Sequence, residues 1–318
     1  MSNNRMSGLS SQSLKLSHQG FTLIELMISL VLGLLISAAV MQVYIINTRT
    51  LTIQKSASEV QDSSIFTMQG VESHVRLANL GNPNNYITDN TNHGGIVLSK
   101  TNLGPANNSD AKLFTTNASS GPSNIAGIAS DQLTIQYKNI TDFDLYDCEG
   151  SKIVKGSSDW VVERYFMRLA PNADASKTVK DLVLACASGR VAEDGSIKTD
   201  FSGNGQVIAT GAEQFKVLLG IQSDINTISY VPATTYLAIE KPDLGDKPAI
   251  TSVKLGIIVR SDTPLISESD AKTFNLLGNS HTLKSADKPK KYYRRSYEST
   301  VLLRSARVMS VAATVRGS

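Results

Sequence analysis

In "HQGFTLIELMISLVLGLL" (residues 18–35) one carboxylate, Glu25, stands inside a run otherwise apolar enough to cross a membrane. An acidic side chain at the centre of a spanning helix costs about 2.5–3.5 kcal/mol, and intramembrane carboxylates usually have a partner. Glu25 is therefore the first residue whose chemistry has to be explained.

Few other residues offer chemistry. The histidines are His18, His74, His93 and His281, and His74 reads as a helix-surface residue. No nucleophile elbow, zinc-protease pair, P-loop or dinucleotide fingerprint is present, so the chain reads as a non-enzyme without catalytic residues or a cofactor. "TDFDLYDCE" gathers Asp142, Asp144, Asp147 and Glu149. Without the EF-hand order it reads as an acidic turn beside a disulfide rather than a calcium loop, and no metal ligands are assigned. "DGSIKTDFSGNG" reads as a hairpin loop for the same reason. "KSADKPKKYYRRSYES" sets Lys288, Lys290, Lys291, Arg294 and Arg295 around Tyr292, Tyr293 and Tyr297. A solvated loop entering the last strand, with alternate tyrosines inward, is favoured. Subunit-interface charge comes next, and DNA contact through Lys290, Lys291, Arg294 and Arg295 last.

The two cysteines, Cys148 and Cys186, are too few for a disulfide scaffold and too far apart for a CxxC motif. Each lies in or beside an expected strand. Outside the cytoplasm they are expected to form one disulfide.

These residues need elements to position them. Residues 1–20 carry Arg5, Lys15 and His18 and no acid, whereas 21–46 is apolar apart from Glu25, Gln42 and scattered Ser, Thr and Tyr. As a helix, that length spans a bilayer of about 30 Å. It exceeds the roughly 7–15-residue apolar region of a secretory signal. With the basic leader inside, the expectation is a single-pass, N-in, C-out chain. Beyond residue 46, Val60, Ser64, Met68, Val71, Val75 and Leu80 recur at helical spacing, and Lys55/Glu59 form an i,i+4 pair. "GNP" at 81–83 is a stop. One helix over 21–80 would be roughly 90 Å long, apolar first and amphipathic after residue 46.

Residues 81–130, rich in Asn, Ser, Thr and Gly, read as loops with short strands. From residue 131, segments such as "QLTIQYK", "WVVERYFMRLA", "DLVLACA", "GQVIAT", "EQFKVLLGI", "TTYLAIE" and "ITSVKLGIIVRS" carry strand composition. Val253, Leu255, Ile257 and Val259 alternate with Lys254, Gly256, Ile258 and Arg260, as in a strand buried mainly on one side. One long helix followed by strands argues α+β with an antiparallel sheet. The mild net charge of +3 does not by itself require a nucleic-acid partner.

The basic leader, Gly-Phe, Glu25 and the apolar run together resemble the processing site of type IV prepilins. The resemblance implies cleavage between Gly20 and Phe21 by an inner-membrane prepilin peptidase, N-methylation of Phe21 and retention of the apolar segment. It also makes Glu25, at the fifth mature position, the assembly charge that meets the N-terminal amine of a neighbouring subunit. "VIATGAEQFKVLLGIQSD", "ITSVKLGIIVRS" and "YESTVLLRSARV" are similar to the C-terminal pattern of PilW-type minor pilins. The usual helix ending of that family, Arg-Asp-Leu-Arg, is replaced here by "GVESHVRLAN".

The implied organisation is a leader (1–20), a transmembrane and fibre-core helix (21–46), its amphipathic continuation (47–80), a variable loop region (81–130) and a β-rich periplasmic head (131–318). The implied role is to join other minor pilins in a priming or tip complex of a type IV pilus serving motility, adhesion or DNA uptake. Its partners would be the peptidase, the minor and major pilins and a tip adhesin. It would reside in the inner membrane and then in the pilus fibre or tip. A J-type pseudopilin of type II secretion shares the processing and architecture, though 318 residues is long for one. A signal-anchored periplasmic binding domain would remain uncleaved after Gly20.

Overall fold

The computed structural model describes residues 20–107, 109–222, 227–242, 246–266, 272–285 and 291–306. The leader up to residue 19, with His18, and Lys288 and Lys290 lie outside that set. Two compact units divide the chain, Met1–Thr50 and Leu51–Ser318, and helix α1 (Leu23–Val75) runs through both sequence ranges.

In the first unit α1 is apolar on every side. Leu23, Leu35 and Ile46 are 79%, 62% and 60% exposed, so this stretch has no stripe facing a core. Ser37 and Thr48 donate their hydroxyls to the carbonyls of Gly33 and Tyr44 one turn back, which satisfies them within the helix. The segment is long and apolar enough to cross a membrane, with none of it buried.

The second unit begins with the rest of α1. Val60, Ser64, Met68, Val71 and Val75 are buried at the expected spacing, whereas Leu80 lies beyond the helix end. The helix therefore stops five residues short of the expected boundary. Asn79, at φ 68, cannot continue it, and its N–H is taken by Gln136 O at 2.9 Å.

The strands are β1 (Thr116–Gly121), β2 (Ser130–Lys138), β3 (Leu145–Tyr146), β4 (Lys152–Ile153), β5 (Trp160–Leu169), β6 (Leu182–Val191) and β7 (Ile197–Thr199), then β8 (Gln206–Thr210), β9 (Ala212–Gln222) and β10 (Ile228–Val231). After the short helix α2 (Ala233–Leu237) come β11 (Ala249–Pro264), β12 (Thr273–Leu276), β13 (Asn279–Thr282) and β14 (Tyr292–Leu302). One sheet has the order β1-β2-β5-β6-β7, with β8 also on β6, and a second has the order β10-β9-β11-β14. The pairings in both are antiparallel. The architecture is α+β, a long helix with antiparallel sheets.

Gly211, at φ 64, lets the chain pass from β8 in the first sheet to β9 in the second. A Cβ there would meet Arg260 O at 2.6 Å.

One core unites α1 with the inner faces of both sheets, through Val60, Met68 and Val71 against residues such as Leu133, Tyr165, Leu184, Phe215, Leu255 and Ile257. Two expectations are corrected here. Strand β11 is buried on both faces, because the β12–β13 hairpin covers the side away from α1. Ile258 packs there with Phe274, Leu276 and Leu277. "TTYLAIE" is not a strand. Pro232 caps α2, and Ala233 and Tyr236, one helical turn apart, are the residues buried.

Candidate assembly and docking site

The charge that opened the sequence lies in the first turn of α1. Helix onset at Leu23 makes Thr22 the N-cap residue and Glu25 the third helical residue. Glu25 N donates to Thr22 Oγ1 at 3.3 Å, and Thr22 N donates to Glu25 Oε2 at 3.2 Å. The Thr22 hydroxyl also donates to that oxygen, at 3.1 Å. This is a reciprocal capping box, closing two of the backbone donors that a helix start leaves open. A carboxylate here also sits favourably at the positive end of the helix dipole. The T-x-x-E spelling of "TLIE" is the signal for it in the sequence. Gly20 and Phe21 are exposed and outside regular secondary structure just ahead of the cap, Phe21 at 87%. Glu25 thus has a local partner within its own chain, and its outer surface is open.

A second constellation holds the last turns of α1 to the first sheet. Glu163 on β5 is fully buried and takes His74 Nδ1 at 2.9 Å, Tyr137 Oη at 2.8 Å, Tyr165 Oη at 2.7 Å and Cys148 N at 3.0 Å. Its four donors explain how a carboxylate persists in this core. Burial would lower the His74 pKa, but the hydrogen bond to Glu163 and its negative charge outweigh that and raise it. Burial, then the Glu163 charge, pushes the Tyr165 hydroxyl well above its ordinary range. The expectation of a helix-surface His74 is therefore corrected: it is half-buried and bonded to Glu163 on the sheet. Beside it, Cys148 and Cys186 are disulfide-bonded, with Cα atoms 6.1 Å apart.

The acidic turn is occupied by protein donors. Asp147 accepts Ser188 Oγ at 2.7 Å and Arg190 Nη2 at 2.6 Å, Glu149 accepts Ser188 N, and Asp144 pairs with Lys152. Their carboxylates do not form a three-ligand group among the described residues.

The basic, tyrosine-rich stretch is divided by strand β14. Arg294 is buried, with Nε 3.0 Å from Glu213 Oε1, whereas Arg295 is exposed and donates to Tyr293 Oη at 2.8 Å. Tyr293 and Tyr297 pack against the α1-facing core. Arg294 and Arg295 therefore do not present one common basic face.

Residues 15–41 match the family described as the Prokaryotic N-terminal methylation motif, and residues 173–305 match Type IV Pilus-assembly protein W. No curated protein matches the chain. Among solved structures, a type IV-like pilin from Thermus thermophilus aligns with 59% of this chain and 83% of its own, at 12% identity and a TM-score of 0.31. An apolar helix opened by the methylation motif and followed by a β-rich head defines a membrane-anchored type IV pilin, a substrate of prepilin peptidase that assembles with other pilins. Within that class, the stretch from residue 173 through β14 is similar to Type IV Pilus-assembly protein W, over less than half of the chain.

Proposed function

We propose that this minor pilin is made as a prepilin, cut between Gly20 and Phe21 and methylated on the Phe21 amine. It is held in the inner membrane by the apolar half of α1, with its head in the periplasm. It joins other minor pilins in a complex that primes assembly and sits at or near the filament tip, with the major pilin and a tip adhesin as further partners. Its role is structural and includes no catalysis. DNA contact is not assigned to it, since Arg294 is committed to Glu213.

The observation that carries this reading is the fully exposed apolar helix opening on Thr22 and Glu25 inside the methylation motif. In a low-dielectric filament core, a carboxylate and an ammonium are tolerable together where either alone is not. Glu25 is the candidate for that pairing with the amine of the subunit ahead.

Mass spectrometry of the membrane fraction tests the processing step. N-methyl-Phe21 is the expected start, and an intact Met1, or a start near Ala39 where the small pair Ala38-Ala39 imitates a signal-peptidase site, overturns the reading. Purification of the detergent-solubilised chain tests the role: other minor pilins should accompany it, and its deletion should reduce surface pili. Normal piliation together with lost protein secretion would point to a pseudopilin instead.

A further inference from the structure

A sulfur of Cys148, a sulfur of Cys186 and a carboxylate oxygen of Glu163 all lie within 4.8 Å of one another, and His74 Nδ1 is 2.9 Å from Glu163 Oε1. Two thiols, an imidazole and a carboxylate are a ligand set suited to tetrahedral zinc. While the sulfurs are joined they offer no thiolate, so the disulfide and a metal exclude each other. We propose that opening the Cys148–Cys186 disulfide converts this cluster into a Zn²⁺ site formed by Cys148, Cys186, His74 and Glu163.

The geometry favours the exchange. Zinc–ligand bonds of about 2.0–2.3 Å place tetrahedral ligand atoms roughly 3.3–3.8 Å apart, so small rotations suffice for the two sulfurs and Glu163, and His74 reaches the fourth position by turning from its bond to Glu163 toward the metal. A Cα separation of 6.1 Å need not change for the two sulfurs to move apart by that amount. Glu163 is already oriented by Tyr137, Tyr165 and the Cys148 N–H, which act as the outer shell that metal-bound carboxylates require. Entry is open, because His74 and Cys148 line a groove of about 370 Å³ beside Phe66 and Gly70. The oxygen-seeking cations Mg²⁺ and Ca²⁺ are disfavoured by two sulfur ligands.

The electron count closes with a dithiol as reductant. It transfers two electrons and two protons to the disulfide, leaving as its own disulfide and giving the thiols of Cys148 and Cys186. Zn²⁺ then displaces both thiol protons to solvent, and the Nδ1 proton of His74 leaves to solvent or is replaced by one on Nε2. The metal would hold the end of α1 on β5 when the covalent bond is absent. This site does not depend on the role assigned in the filament.

The test uses the full chain in detergent, reduced with a phosphine, desalted without oxygen and titrated with Co²⁺ as a spectroscopic probe. One Co²⁺ per chain with thiolate-to-cobalt absorption is expected, displaced by Zn²⁺ and absent from the oxidised protein. His74→Ala should retain the sulfur absorption and bind at least about tenfold more weakly. Reduced protein that keeps its β-sheet circular dichroism yet binds no more Co²⁺ than the Cys148→Ser/Cys186→Ser variant overturns the proposal. So does reduced protein that loses the sheet signal and does not regain it with Zn²⁺.

Discussion

His74 Nδ1 lies 2.9 Å from Oε1 of Glu163, so the last turn of α1 is tied by a charge pair to the middle of β5. The folded pKa of His74 is raised above its ordinary 6.5 because the Glu163 carboxylate outweighs the cost of burial. A group of this kind contributes its stability below the unfolded pKa and loses it as pH climbs through the folded one. Wild type should therefore exceed His74→Gln in urea midpoint by most in mildly acidic buffer, with the gap closing toward alkaline pH. A gap that widens with pH contradicts the pairing.

Removing the acid should cost more than removing the histidine. Glu163→Ala strands two tyrosine hydroxyls and the Cys148 N–H in the core. Loss of one partner of a buried charge pair typically costs about 3–5 kcal/mol. Denaturant unfolding of the detergent-held protein measures it, and a loss under about 1 kcal/mol would show that the cluster relaxes around water.

Opening the disulfide should also destabilise the head. With a sequence separation of 38, the chain-entropy relation gives about 3–4 kcal/mol for the closed loop. Cys148→Ser/Cys186→Ser should lower both the unfolding midpoint and the level of protein in the membrane, while N-terminal processing continues. Equal midpoints for the oxidised protein and the double variant, in metal-free buffer, would show that the crosslink adds no stability.

The α1 docking stripe was legible because its apolar spacing survives into the packed state, from Val60 to Val75. β11 reads as one-sided because Lys254, Gly256 and Arg260 interrupt its second face. The hairpin that covers that face through Leu276 and Leu277 is a separate sequence segment, too short to announce its partner. Glu163 carried a signal that composition hides. It occupies the same inward parity as Val161, Tyr165 and Met167, where a charge demands donors, but apart from Tyr165 on the same strand those donors come from β2, α1 and the disulfide turn. Helix α2 was misread because Thr and Tyr favour strands on average, whereas the buried spacing of Ala233 and Tyr236 decides locally.

Asn79 provides a separate check on how α1 ends. Its buried carboxamide accepts from Gly95 N at 2.9 Å and donates to Asn84 O at 2.9 Å and Ser305 O at 3.0 Å. Asn79→Ala leaves those groups unpaired, at roughly 1–3 kcal/mol for each that stays dry, and places a Cβ residue without local hydrogen bonds at φ 68. Arg76→Ala, which breaks only the exposed i,i+4 pair with Glu72, should cost about 0.3–0.5 kcal/mol. Similar unfolding midpoints for the two variants would deny Asn79 its role as the anchor.

The capping box turns Glu25 into a sharper question than a buried charge alone. If its purpose is to close the helix start, Gln at this position serves as well, because a capping box accepts either side chain. If its purpose is to meet the amine of the subunit ahead, Gln fails for want of charge. We expect Glu25→Leu and Glu25→Gln both to be cut after Gly20 and to accumulate in the membrane, Leu with the larger relief of the insertion penalty. Both should be missing from sheared pili. Thr22→Ala, which loses about 1 kcal/mol of cap but keeps the carboxylate, should still be incorporated. Quantitative immunoblots of sheared filaments against membrane fractions separate the cases. Incorporation of Glu25→Gln at the wild-type level, with Glu25→Leu and Thr22→Ala both excluded, would make the residue a helix cap and remove it from the assembly contact.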